Sequence, residues 1–294
     1  MSQLVAINGK PFENGEKKKI QDFFGSLHEH NFTPIISKEF TKAIGDLEIP
    51  NADKFKTYHS EKDLENVKYA FSFGGDGTLL ETLTHVGRFE IPIVGVNMGR
   101  LGFLATTPLE DIEKAVQYLA LGEYGLDERA LLQMDSDKKS FEKDNFALND
   151  FTILKRDTSS MIKVKVYLNG IYLNTYWADG LIVSTPTGST GYSLSCGGPL
   201  VLPQSNNFII TPVSPHNLNA RPLVVSDSSE ISFKIEARSE NVLVSLDSRS
   251  MSVPTDIKIS IRRYKLNAKL IKFNNYNQLQ TMRKKLKWGI DYRN

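Results

Sequence analysis

From about Tyr124 onward the hydrophobic period of this chain changes, and that change limits the fold more than any other feature. Before it, short apolar runs alternate with helical patterns. Leu4–Ile7, Tyr69–Phe73 and Ile91–Val96 read as buried strands. Glu16–Glu29 carries Ile20, Phe23, Phe24 and Leu27 at the spacing of a helix with one buried face. Pro108–Leu121 repeats the signal through Leu109, Ile112, Ala115, Val116 and Leu119, with Gly122 as a stop. Strands alternating with helices imply a parallel sheet with helices packed on it. After Tyr124 the period is two. Ile162, Val164, Val166 and Leu168 alternate with polar residues and run into Asn169-Gly170, which favours a tight hairpin because both residues accept positive φ. Ile171–Trp177 is the returning strand. Ile231, Phe233 and Ile235, then Val242 and Val244, then Ile257, Ile259 and Ile261 continue the alternation, which predicts an antiparallel β domain, layered or barrel-like. Tyr276–Trp288 returns to helical spacing, with Leu279, Met282 and Leu286 on one side. The expected fold is an α/β N-terminal domain (parallel sheet with helices) over residues 1–123 and a β-rich domain over 124–274. A C-terminal helix over 275–294 returns to the first domain.

Composition removes several classes of function. The chain has 294 residues, 40% of them hydrophobic, enough for a real core. Lys+Arg 36 against Asp+Glu 34 leaves +2, too balanced for a nucleic-acid coat. No apolar run approaches the ~20 residues a membrane helix needs. The N-terminus lacks a basic region followed by an apolar stretch, so no signal peptide is read there. One cysteine, Cys196, makes neither an internal disulfide nor a CxxC zinc site. The five histidines include no pair at metal-ligand spacing in a plausible site. The expectation is a cytoplasmic protein with no nucleic-acid partner, no membrane partner and no protein-held metal.

Three segments carry chemistry. In Phe71–Leu80, Gly74-Gly75-Asp76-Gly77-Thr78 joins a strand to a helix expected to start at about Leu79. Its glycines leave backbone N–H groups open, and a helix N-terminus adds partial positive charge, so Gly74, Gly75 and Thr78 are candidate phosphate contacts. A carboxylate, Asp76, works against phosphate there. It makes sense as an acceptor of a proton from an attacking hydroxyl, as a holder of a phosphate-bridging metal, or as an ordinary helix N-cap. A second glycine stretch, Gly95–Leu104, sits where open α/β sheets bind ligands, and its Arg100 is either a phosphate partner or a solvated arginine. The third, Asp179–Ser193, is dense in hydroxyls and glycines, suited to a ribose or a diphosphate, or to a plain surface loop. It contains neither the Gly-Lys-Ser/Thr of a phosphate loop nor a Gly-x-Ser-x-Gly elbow. Asn149-Asp150 reads as a ribose grip or a turn. Pro212–Pro222 reads as a rigid loop, with His216 more often structural than catalytic.

Taken together, these segments resemble the NAD kinase family. Gly74–Gly77, Gly95–Leu104, Asn149-Asp150, Asp179–Tyr192 and Pro212–Pro222 match its motifs in order and spacing, from about Phe71 to Arg249 and weakly on to Trp288. The resemblance implies transfer of the ATP γ-phosphoryl group to the adenosine-ribose 2′-hydroxyl of NAD, with a divalent metal, magnesium. Inorganic polyphosphate is an alternative donor. It also implies an active site between the two domains and a homotetramer whose dinucleotide sites are completed across subunits. Asp76 would accept the proton with Gly77 beside it at the NAD. Asn149, Asp150, Asp179, Thr187, Thr190, Gly191, Tyr192, Ser193 and Ser195 would bind NAD. Gly191 stands where the family often has alanine, Arg249 where many members have glutamine, and Trp177 where some have a basic residue. A lipid kinase shares the Gly-Gly-Asp-Gly loop but not the Thr-Pro-Thr-Gly-Ser-Thr run. A dinucleotide sensor that moves no phosphoryl group would have little use for Asp76.

Overall fold

The computed structural model describes residues 2–45, 47–49, 52, 55–99, 101–138, 141, 144–156, 160–273 and 276–288. The chain divides into two compact units, one of Met1–Asp127 with Lys269–Asn294, the other of Glu128–Ala268.

The first unit contains β1 (Gln3–Gly9), α1 (Lys17–Glu29), β2 (Phe32–Ser37), α2 (Lys38–Ile44), β3 (Lys56–Tyr58), β4 (Val67–Gly74), α3 (Asp76–Val86), β5 (Ile93–Asn97), β6 (Thr107–Pro108) and α4 (Ile112–Leu121). The main strands run in the order β5-β4-β1-β2-β3, all parallel. Ile20, Phe23 and Leu27 of α1 are fully buried, as their spacing predicts, and the Phe23 ring meets Phe71 and Phe73 edge-on at 5.0 and 4.9 Å. Burying each such side chain is worth ~1.5–3 kcal/mol. Pattern reading passes over β2, because Pro34 interrupts its apolar run. The strand tolerates that proline because β3 pairs with it only from Ile35 onward. Helix α3 starts at Asp76 rather than Leu79. Gly75 is its extended N-cap residue, and its carbonyl accepts from the amides of both Thr78 and Leu79, which closes the first turn early.

The second unit contains β7 (Gly125–Ser136, from Glu128 on), β8 (Phe146–Ala147), β9 (Asp150–Lys155), β10 (Ile162–Leu168), β11 (Ile171–Ala178), β12 (Gly180–Ser184), the short α5 (Tyr192–Ser195), β13 (Asn207–Val213), β14 (Leu223–Ser226), β15 (Ile231–Glu236), β16 (Asn241–Leu246), β17 (Arg249–Pro254) and β18 (Ile259–Lys272). One antiparallel sheet has the order β14-β13-β12-β9-β16-β17, and β11-β10-β15-β18 form a second antiparallel layer. Phe151, Val183 and Phe208 of the first layer and Val164, Phe233 and Ile259 of the second share one core. At the β10–β11 turn, Asn169 (φ 51°) and Gly170 (φ 80°) both take the left-handed conformation the dipeptide predicts.

The last four residues of β18, from Lys269, belong to the first unit, where Leu270 pairs with Ile93. Helix α6 (Gln278–Leu286) follows, capped by Asn277, whose Oδ1 accepts from the Gln280 amide. It lies in the first unit, but its buried face is not the expected one. Thr281 and Met282 are buried, Leu286 is half-buried and Leu279 is 56% exposed. The covered direction falls between Thr281 and Met282, which at ~100° per residue leaves Leu279 roughly 110° away.

Candidate active site

In the first unit, the two glycine segments meet through one carboxylate. Strand β4 ends at Gly74, whose φ of 153° and close neighbour exclude a side chain: a Cβ there would lie 2.3 Å from Thr78 Oγ1. Thr78 is buried beneath it. Gly75 and Gly77 are open, with nothing within 4 Å of a Cβ placed on either. The backbone at the start of the 11-residue α3 therefore has bare amides to offer an anion. Asp76 does not cap its helix. Its Oδ2 accepts from the Phe103 amide at 2.8 Å, and its Oδ1 accepts from Leu104 and Ala105 at 2.9 Å each. Gly102 allows this approach, since a Cβ there would stand 2.0 Å from Asp76 Oδ1. The Lys272 ammonium holds the same loop, donating to the Leu104 carbonyl and to Thr106 Oγ1. Arg100 lies outside the described residues.

In the second unit, sheet register brings three segments to one edge. Asp150 opens β9 and pairs with Ser184, the last residue of β12, so the Asn149-Asp150 turn lies beside the loop that begins at Thr185. The Thr185 amide donates to the Asn149 carbonyl, and the Thr185 hydroxyl donates to the Leu148 carbonyl. Gly188 sits directly on the turn: a Cβ there would fall 2.0 Å from the Asn149 oxygen. Gly191 is less constrained, and a Cβ there would pass Asp150 Oδ2 at 3.8 Å. Thr187 is buried and accepts from Arg129 at 3.3 Å, while the Thr190 hydroxyl donates to the Thr187 carbonyl.

The third segment is the β16–β17 turn, which pattern reading missed. Asp247 (φ 52°) accepts from the amides of Leu148 (2.9 Å), Asn149 (2.8 Å) and Asp150 (3.2 Å), and its own amide donates to the Asp150 carbonyl. Arg249 donates to the carbonyls of Asp144 and Phe146 and lies over the Phe146 ring. Its charge is spent on holding this loop. The available signal was an aspartate opening a two-residue turn between alternating strands.

Asp150 is therefore held by its backbone only. The residue is 7% exposed, and its carboxylate accepts no hydrogen bond among the described residues. Burial, and then the negative charge of Asp247, pushes its pKa up to about 7. Beside it, Ser184 Oγ is also buried without a partner.

Other predicted residues lie elsewhere or are otherwise engaged. Ser193 is fully buried and its hydroxyl pairs with Thr211 at 2.8 Å. Tyr192 and Ser195 are exposed on α5. Asp179 precedes β12, at the end opposite Thr185, and forms an ion pair with Lys155 at 2.6 Å. The intervening strand separates it from Thr185 by roughly 20 Å. His216 packs on Trp177, with ring centroids 4.8 Å apart.

Among the described residues, no group of three or more His, Cys, Asp or Glu side chains is arranged to hold a metal ion. No helix among the described residues is long and apolar enough to cross a membrane.

A glycine turn with open amides and a hydroxyl-rich loop beside an unspent carboxylate suit a protein that handles a phosphorylated nucleotide. Comparison with known proteins agrees. Residues 24–124 match the ATP-NAD kinase N-terminal domain and residues 148–273 the ATP-NAD kinase C-terminal domain. A protein of Cytophaga hutchinsonii described as NAD kinase is 49% identical over 99% of this chain and 100% of its own length. An NAD kinase from Archaeoglobus fulgidus, solved in complex with ATP, is 28% identical with a TM-score of 0.73, covering 97% of this chain and 99% of that one. Yeast NADH kinase complexed with NADH shares the fold, with a TM-score of 0.87 at 23% identity over 99% of this chain and 89% of its own. The chain belongs to the ATP-NAD kinase family.

Proposed function

We propose that the protein transfers the γ-phosphoryl group of ATP to the 2′-hydroxyl of the adenosine ribose of NAD, forming NADP. The observation that carries this reading is the Asn149-Asp150 turn locked onto the Thr185–Gly191 loop, in a chain 49% identical end to end to a relative described as NAD kinase. In this reading Asn149, Asp150, Thr187, Thr190, Gly191 and Tyr192 receive the dinucleotide. Ser193 shapes their loop from beneath, and Ser195 stands at its exposed margin. Gly74, Gly75 and Gly77 present amides to phosphate, with Thr78 packed under the turn. Magnesium, arriving on ATP, supplies charge neutralisation. Phosphoryl transfer asks mainly for such alignment and charge compensation. The complex of the Archaeoglobus relative with ATP favours ATP over polyphosphate as donor. The expected result is NADP formed from NAD only when ATP and magnesium are both present. No NADP under those conditions refutes the function.

The reading extends to assembly. Asp179 lies at the far end of its own strand from Thr185, which favours its serving the dinucleotide site of a neighbouring copy in a homotetramer. Light scattering should then give about four times the 33.1 kDa chain mass. A fully active monomer refutes this. The single cysteine favours the cytoplasm as the compartment.

A further inference from the structure

We infer that Lys272 is a positioning residue for the proton transfer. Through the Leu104–Ala105 peptide group it holds Asp76 so that Oδ2 keeps one lone pair for the ribose 2′-hydroxyl. The inference rests on the NAD kinase reading, in which Asp76 accepts that proton, and adds the residue that aims the carboxylate.

An ionised carboxylate has about four lone-pair positions. In Asp76, Oδ1 accepts from the amides of Leu104 and Ala105, and Oδ2 from that of Phe103. Three positions are filled, and one on Oδ2 stays open. The filled positions decide where the open one points. Their donors all come from one loop, and Lys272 grips that loop at the working peptide. The Leu104 carbonyl and the Ala105 amide belong to a single trans peptide group, so they point in opposite directions. On one side the Lys272 ammonium donates to the Leu104 oxygen at 3.3 Å. On the other the Ala105 N–H donates to Asp76 Oδ1 at 2.9 Å. A cation on the oxygen polarises the group and strengthens its N–H as a donor, as in any hydrogen-bonded chain. Lys272 is itself held. It donates to Thr106 Oγ1 at 2.9 Å and lies 4.3 Å from the centroid of the half-buried Tyr276 ring. The loop's place in the fold is secured separately. Leu104 and Ala105 are buried, and the loop rests on β5 at Gly95, where a Cβ would fall 2.8 Å from Ala105 Cα. Removing the ammonium therefore disturbs the aim of the carboxylate more than the fold.

The step balances. The 2′ O–H bond breaks and its proton joins the open lone pair of Asp76 Oδ2. The freed oxygen pair forms the bond to the γ-phosphorus. The bond from that phosphorus to the β–γ bridging oxygen breaks, and ADP leaves with the electron pair. Asp76 then returns the proton to solvent.

The test measures NADP formation, NAD binding and thermal unfolding for wild type, Lys272→Met, Lys272→Arg, Asp76→Asn and the double variant Lys272→Met with Asp76→Asn. Lys272→Met should lower kcat by ~10²-fold, the cost of about 1 Å of misplacement, while the KM for NAD and the melting temperature change little. Lys272→Arg can donate to the same two oxygens and lie over Tyr276, so it should recover most of that loss. Asp76→Asn should lower kcat by ~10²–10⁴-fold. Adding Lys272→Met to it should cost little more, because the group being aimed no longer takes a proton. Lys272→Gln, a neutral donor of shorter reach, should show the same kcat-against-KM split if the Lys272→Met protein does not fold. An unchanged kcat in these Lys272 variants, a loss that falls on KM instead, or the full factor repeated on the Asp76→Asn background overturns the positioning role. Each of these leaves the kinase reading standing, as does an Asp76→Asn enzyme with near-wild-type kcat, which also overturns the role. A wild-type protein that forms no NADP overturns both.

Discussion

Replacing Gly188 with alanine should cost both stability and nearly all activity. The new methyl would lie 2.0, 2.5 and 2.7 Å from the carbonyl oxygen, carbonyl carbon and Cα of Asn149. These are backbone atoms, so no rotamer change relieves the overlap. The Asn149-Asp150 turn must move instead, which strains the Thr185 bonds to Asn149 and Leu148 and the bonds from residues 148–150 to Asp247. Overpacking of this kind costs ~1–3 kcal/mol, and a shift of about 1 Å in a reacting group costs ~10²-fold in rate. Gly77→Ala is the contrasting case. Its methyl meets nothing within 4 Å, so thermal unfolding should change little, while NADP formation falls because the methyl covers backbone left open for phosphate. Unfolding curves and initial rates on both variants decide the matter. A Gly188→Ala protein with wild-type stability would show that the Asn149-Asp150 turn does not press on residue 188.

Asp150→Asn should make the protein more stable at pH 8, and by much less at pH 5. In the folded chain the Asp150 pKa lies at about 7, above the ~3.9 of an exposed aspartate in the unfolded chain. The folded state therefore binds this proton more tightly. The stability so gained is complete below pH ~4 and is lost as pH rises through about 7. Asparagine never bears the charge. Its advantage over aspartate grows across that window to on the order of 2–4 kcal/mol at pH 8. Denaturant unfolding at the two pH values measures it. A stability difference that does not change with pH would mean that Asp150 is an ordinary ionised carboxylate. The variant expected to gain stability alters a residue proposed to receive the dinucleotide, the usual relation at a site strained for function.

The sequence and the structure agree wherever one residue pattern decides one local form. Ile20, Phe23 and Leu27 announce a helix face, and Asn169-Gly170 announces a hairpin, because spacing and φ preference act within a few residues. The site was legible as segments, since glycines and hydroxyls cluster along the chain at Gly74–Thr78 and Thr185–Tyr192. It was not legible as a set of hydrogen-bond partners. That Asp76 accepts three amides and Asp150 none depends on residues distant in sequence, those of 103–105 in one case and the diversion of donors to Asp247 in the other. Leu279 was misplaced for a similar reason: helical periodicity gives the spacing of a stripe but not which stripe its support will cover.

The Asp247-Ser248 turn has a practical consequence for anyone altering this chain. A two-residue hairpin tip is normally where extra residues do least harm. Here the tip fixes the amides of residues 148–150, and a single inserted residue would carry the carboxylate out of their reach. An epitope or fluorophore sequence spliced between Asp247 and Ser248 should silence the enzyme. At the Asn169-Gly170 tip, Asn169 bonds to the Glu230 backbone but to none of residues 148–150, so attachment between Gly170 and the 74%-exposed Ile171 is the safer choice.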